Sequence, residues 1–108
     1  MPQYLVQAAY TTDSWATMIK HPVNRMEAIR PAVENLGGKL IGGWLAFGDY
    51  DVVLIAELPT NTDAAALAIA AAAGGSCRAV KTTPLLTSEE ALAAIKKAPT
   101  SGYKAVGA

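Results

Sequence analysis

Phe47-Gly48-Asp49-Tyr50-Asp51-Val52-Val53-Leu54-Ile55-Ala56-Glu57 joins a turn signal to a run of strand formers. Gly48 can take positive φ, and Asp49 beside it favours a short connection, so Tyr50 to Glu57 reads as a strand entered from a turn. Lys39 to about Phe47 supplies the other arm of a β-hairpin, with Leu40, Ile41, Trp44 and Leu45 along it. Alternate residues of the second arm form the sets Tyr50, Val52, Leu54, Ala56 and Asp51, Val53, Ile55, Glu57. Both faces therefore carry bulky apolar groups. Leu40 and Trp44 against Ile41, Leu45 and Phe47 repeat that pattern on the neighbouring arm. A sheet built this way needs cover on both sides.

Upstream, Gln3 to Tyr10 reads as a strand that ends at the polar group Thr11, Thr12, Asp13 and Ser14, a helix start. Trp15, Met18 and Ile19, then Val23, Met26, Ile29, Val33 and Leu36, recur at helical spacing. One helix, broken or bent, is expected here: Pro22 follows His21 at the interruption, and Pro31 removes a backbone donor and should kink the helix near Met26 to Glu27. Gly37-Gly38 offers a left-handed helix end. Downstream, Pro59 closes the hairpin, Thr60 to Asp63 supplies caps, and the alanine-rich stretch Ala64 to Ala73 favours helix until Gly74-Gly75. Ser76 to about Thr83 forms a fourth strand. Thr87 and Glu90 then make a capping box for a last helix to about Ala98, with Leu92 and Ile95 expected to face the body.

Strand, helix, hairpin, helix, strand is the split βαβ order. It predicts an α+β, ferredoxin-like βαββαβ domain over residues 1–98, with a four-stranded antiparallel sheet, helices on one face, an added C-terminal helix and a tail from 99 to 108. The uncovered face of that sheet predicts a homodimer or higher homo-oligomer. A chain of 108 residues has surface for one core, and half its residues are apolar.

Nine basic residues balance nine acidic ones without a block of either sign, so no footprint for nucleic acid or an anionic membrane is present. The run Ala64 to Ala73 is too short to span a bilayer. The start Met1-Pro2-Gln3 leads directly into Tyr4-Leu5-Val6 without the basic opening and apolar stretch of a signal peptide, which predicts a cytoplasmic protein. Cys77, the single cysteine, cannot form an internal disulfide and reads as a small buried hydrophobe.

The opening Met-Pro-x-Tyr, the junction Leu36-Gly37-Gly38-Lys39 and above all Phe47-Gly48-Asp49-Tyr50-Asp51-Val52-Val53 resemble the GYD domain family, over about Tyr4 to Lys97. Its members are small bacterial and archaeal proteins, and the resemblance implies a ferredoxin-like fold of the dimeric α/β-barrel type. It implies no agreed activity. Pro31, Gly42-Gly43 before Trp44 and the alanines around Ala64 depart from the family pattern, and the small residues either enlarge a cavity or permit closer packing.

His21 is the single histidine, so a histidine general base would have to be this one, with Arg25 one turn away to clamp a carboxylate. Tyr50 is the candidate hydrogen-bond donor, but it is adjacent to Asp51 and the two point to opposite faces of an ideal strand, so one of them is structural. Asp51 as a turn or cap partner and Tyr50 as a core wall are the plain alternatives. Arg78 would clamp an anion if it faced inward, and serve an edge or ion pair otherwise. Trp44 is a ligand platform or an interface residue. Pro2 would act as a base only as a free N-terminus. The acidic residues are not at metal-ligand spacing, and no P-loop, dinucleotide fingerprint or nucleophile elbow is present.

Three functions follow. The first is an oligomeric module for assembly or for binding a small organic molecule, without a cofactor or metal. The second is a cofactor-free enzyme of isomerase, tautomerase or monooxygenase type with His21 and Tyr50 as catalytic groups and Arg25, Trp44, Asp51 and Arg78 around the ligand. The third is a structural subunit of a ring or cage.

Overall fold

In the computed structural model, which describes residues 1–107, β1 (Gln3–Tyr10) is the strand on which the others are built. It lies inside a sheet of order β2-β3-β1-β4, formed with β2 (Lys39–Leu45), β3 (Val52–Glu57) and β4 (Cys77–Leu85). Every neighbouring pair is antiparallel, with Val6 level with Leu54 on one side and Thr82 on the other. This is the ferredoxin-like α+β arrangement expected from the element order.

The helices α1 (Thr12–Lys20), α2 (Arg25–Asn35) and α3 (Asn61–Ala73) cover one face. Tyr4, Val6, Ala8 and Tyr10 alternate onto that face and are buried. The larger core cluster joins Tyr4 and Val6 to Leu40, Leu54, Ala56 and Leu58, and to Val33 of α2 and Leu67 of α3. The smaller cluster, Ala8, Tyr10 and Val52, is packed by Trp15 and Met18 of α1 and Met26 of α2. Tyr4 is buried with its hydroxyl satisfied, donating to Asn61 Oδ1 at 2.6 Å.

Of the two expected forms, broken or bent, the helix is broken, into two separate helices. Thr11 caps α1 by accepting from the Ser14 N–H, and Asn24 caps α2 by accepting from the Met26 N–H, so residues 21–24 form a non-helical joint. α2 begins at Arg25, not at Pro22, and continues through Pro31, which is exposed. It ends as expected at Gly37, whose φ is +86°. Gly38 has a different reason to be glycine: a Cβ there would collide with the Glu57 carbonyl oxygen and press on Leu58. The helix end is thereby seated directly on the β3 backbone.

Three other expectations are corrected. The hairpin connection is six residues, Ala46 to Asp51, closed by the Ala46 N–H donating to the Asp51 carbonyl at 2.6 Å, and Gly48 does not take positive φ. On β2, Leu40 pairs with Ala56 and Gly42 with Ile55, so Ile41 is an extra, bulged residue. The bulge reverses the alternation, and Leu40 and Trp44 end on opposite faces instead of the same one. Gly43 thereby turns toward the helices, where Met26 occupies the space a side chain would need. β4 runs two residues further than expected, to Leu85, with Pro84 inside it on the edge of the sheet.

The largest departure is at the C-terminus. α4 (Ser88–Lys97) forms with the expected capping box, Thr87 Oγ1 accepting from the Glu90 N–H and the Glu90 carboxylate accepting from the Thr87 N–H. Those bonds hold the Glu90 carboxyl below its ordinary pKa. The helix does not fold back, however: Leu92 is 51% and Ile95 69% exposed, where both were expected to face the body. A 3-10 turn, Ala98–Ser101, follows it. The chain measures 58 × 34 × 22 Å with a radius of gyration of 17.2 Å, against about 13 Å for a compact domain of this length. α4 owes its helicity to local caps and not to tertiary packing.

Replacing Gly38 by alanine is expected to lower stability by at least about 2 kcal/mol, because backbone and not a flexible side chain blocks the added methyl. Urea unfolding of Gly38→Ala beside Gly48→Ala, whose surroundings are open, is the check.

Candidate functional site

Tyr10 sits where β1 loses its neighbours. On the β4 side Ala9 pairs with Ala79 and Tyr10 with Cys77, leaving Arg78 as an extra residue in a second bulge. On the β3 side the ladder stops at Val52 opposite Ala8. The Tyr10 N–H would be orphaned there, and the Asp51 carboxylate takes it: Oδ2 accepts at 2.8 Å. The Asp51 N–H donates in turn to the Ala8 carbonyl at 2.9 Å. Asp51 thus extends the ladder by one side chain and fixes the end of β1.

The Tyr10 ring, placed on the helix face by this closure, meets Trp15 edge to face, with centroids 5.3 Å apart and planes at 83°. The Arg25 guanidinium stands over the same ring, its Cζ 5.9 Å from the centroid. Tyr10 is 4% exposed, yet its hydroxyl has no hydrogen-bond partner among the described residues, and neither does the buried Nε of Arg25. Arg25 also has no carboxylate within ion-pair distance; the one pair among the described residues is Arg30 with Glu27 at 3.7 Å. Two buried donors without acceptors cost about 1–3 kcal/mol each unless something else satisfies them.

Tyr10 and Arg25 form the wall between two cavities. The first, about 290 Å³, lies between the sheet and helices α2 and α3, lined by Val6, Leu54, Ile29, Leu67 and Val80, with Cys77 and Ser76 beside Tyr10 and Arg25 at its polar end. Ala68 and Ala71 of α3 line it too, so the alanines singled out in the sequence leave space open where larger side chains would fill it. The second, about 500 Å³, opens between the 21–24 joint and the end of β2, lined by Trp15, Met18, Val23, Trp44 and Leu45 together with Tyr10 and Arg25. Burial pushes the Cys77 thiol above its ordinary pKa, with the Asp51 charge adding to the rise and Arg25 opposing it. A raised pKa leaves less thiolate at neutral pH and a poorer nucleophile.

Of the residues singled out in the sequence, Arg25 and Trp44 both line the second cavity, although the Trp44 ring lies on the sheet face away from the helices, against Gly42. His21 is exposed at the C-terminal end of α1, its N–H donating to the Thr17 carbonyl at 2.9 Å, and it lines neither cavity. Tyr50 is half-buried in the β2–β3 connection and lines neither. Asp51 is occupied by the Tyr10 backbone. Arg78 is exposed at its bulge, with Nη2 3.5 Å from the Asp49 carbonyl. Tyr10 had no place among the site residues expected from sequence, although its inward register follows from Tyr4 by period two. Its meeting with Arg25 depends on how α2 lies across the sheet. Among the described residues no three His, Cys, Asp or Glu side chains share an ion site, and no helix is long and apolar enough to cross a membrane.

The family model of the GYD domain matches residues 4–95, from β1 into α4. No curated protein matches the chain.

Asp51→Ala removes the acceptor of a backbone donor and is expected to cost about 1–3 kcal/mol. Asp51→Asn keeps an oxygen at the same place and should recover much of the loss, which thermal unfolding of the two variants measures.

Proposed function

We propose that this chain, which belongs to the GYD domain family, is a binding module for a small, mainly apolar molecule that carries one anionic group. The observation that carries the reading is the pairing of two unpartnered donors, Tyr10 Oη and the Arg25 guanidinium, with an otherwise apolar cavity between sheet and helices. The volume, about 290 Å³, is at the small end of the range for ligand sites, about 300–1,000 Å³. The apolar wall takes the body of the ligand, and the two donors take its carboxylate-like head. The separation of His21 from this cavity favours binding over proton-transfer chemistry, which needs hydrogen-bond reach.

Octanoate is a suitable probe, followed by calorimetry. Octanol is expected to bind at least about tenfold more weakly, as are octanoate to Tyr10→Phe and to Arg25→Gln, since a hydrogen bond to a charged group is worth about 1.5–3 kcal/mol. Ala71→Leu should block binding by filling the space while keeping a strong helix former in α3. Equal affinity of octanoate and octanol would overturn the reading.

The second part of the proposal is that the module works as a homo-oligomer. Leu5, Val53, Ile55 and Leu85 occupy the sheet face opposite the helices, and Trp44 on that face is 58% exposed. Ile55→Glu is expected to convert the assembly to monomers in sedimentation equilibrium. A monomeric parent chain would contradict this part and leave the cavity untouched.

A further inference from the structure

α4 is a well-capped helix whose apolar residues Leu92 and Ile95 are left at least half exposed by the described residues of the chain. Leu92 and Ile95 stand three residues apart on one side, exposed, and the segment beyond adds Tyr103 and Val106. The whole chain exposes 7432 Å², whereas a folded monomer of 11.2 kDa exposes roughly 5,700 Å². The excess, about 1,700 Å², is more than twice what one partner contributes to an ordinary stable interface, about 800 Å². A surface of this size needs an occupant.

We infer that the occupant is a second copy of this chain, and that α4 is an exchanged arm which packs along the β2 rim of that copy. The inference rests on the reading that the open sheet faces meet. Two facing sheets can be related by a twofold across the strands, which lays β4 over β4, or along them, which with the order β2-β3-β1-β4 lays β4 of each copy over β2 of the other. The second arrangement is adopted, because it brings the acidic start of α4 toward Lys39. Leu85, from which the arm departs, is level with Gln3, and Gln3 with Glu57, and Glu57 with Lys39. The arm therefore leaves one copy beside Lys39 and Ile41 of the other.

That place is suited to it in shape and charge. Ile41 is the bulged residue of the β2 edge and is 46% exposed, with Trp44 further along the same rim. Lys39 is exposed there, and the first turn of α4 carries Glu89 and Glu90. The acidic turn of the arm meets Lys39, the one basic residue of β2, which stands opposite Glu57 of β3, and Leu92 follows it onto Ile41. Both contacts occur twice in the dimer, so an interface with two arms covers surface that a bare sheet pair leaves wet.

The test uses the full chain with Cys77→Ser, carrying Ile41→Cys and Leu92→Cys together. Oxidation is expected to give a disulfide between chains, running at twice the chain mass on a non-reducing gel, with either single variant failing to give it. A disulfide within one chain, or no disulfide in an intact dimer, overturns the inference. A chain ending at Leu86 should dimerise at least about tenfold more weakly. If it dimerises as tightly as the parent while Ile55→Glu dissociates, the arm inference falls and the facing sheets stand. If the shortened chain dissociates while Ile55→Glu remains dimeric, the facing sheets fall instead.

Discussion

A four-stranded layer with apolar residues on both sides and helices on only one is the constraint from which the rest of this molecule follows. Val52, Leu54 and Ala56 are buried toward the helices, while Val53 and Ile55 between them remain half-buried on the other side. Period-two geometry allows no escape, since each strand residue must serve one side or the other. Burial of the first side fixes the fold. The second side carries apolar area that water does not solvate cheaply, at roughly 25 cal/mol per Å².

The end of β1 illustrates how a signature motif is used physically. Aspartate in the Gly-x-Tyr-Asp stretch looks in sequence like a site residue, but its carboxylate is committed to a backbone donor that two truncated ladders leave behind. That bond fixes the end of the strand that carries Tyr10, whose buried hydroxyl has no acceptor among the described residues. The polar end of the cavity is therefore an indirect product of the motif: Asp51 holds the strand, the strand holds the ring, and the ring sits beneath Arg25.

Much of the architecture was legible because it is local. The capping residues Thr11, Thr60 and Thr87, the glycine at 37 and the strand runs act within a few residues of themselves. Two bulges were not legible, because an extra residue at Ile41 or Arg78 is defined only against the partner strand. The position of Trp44 was misread for that reason. Tyr10 was missed as a cavity residue because its role depends on α2, whose start is set by Asn24 and not by the proline that seemed to announce it. The outward course of α4 was equally hidden: Leu92 and Ile95 have the spacing of a helix that packs, and spacing does not say on what.

The two rims of the sheet have a bearing on how far assembly can proceed. Exposed strand edges recruit further strands, and a sheet with two open borders is at risk of endless addition. Here β2 is interrupted by its extra residue at Ile41, and β4 by Arg78 and by Pro84, which has no N–H to donate. Neither border can template a continuous ladder. Edge-to-edge addition, the route by which open sheets grow into fibrils, is thus opposed by the same irregularities that bend the strands.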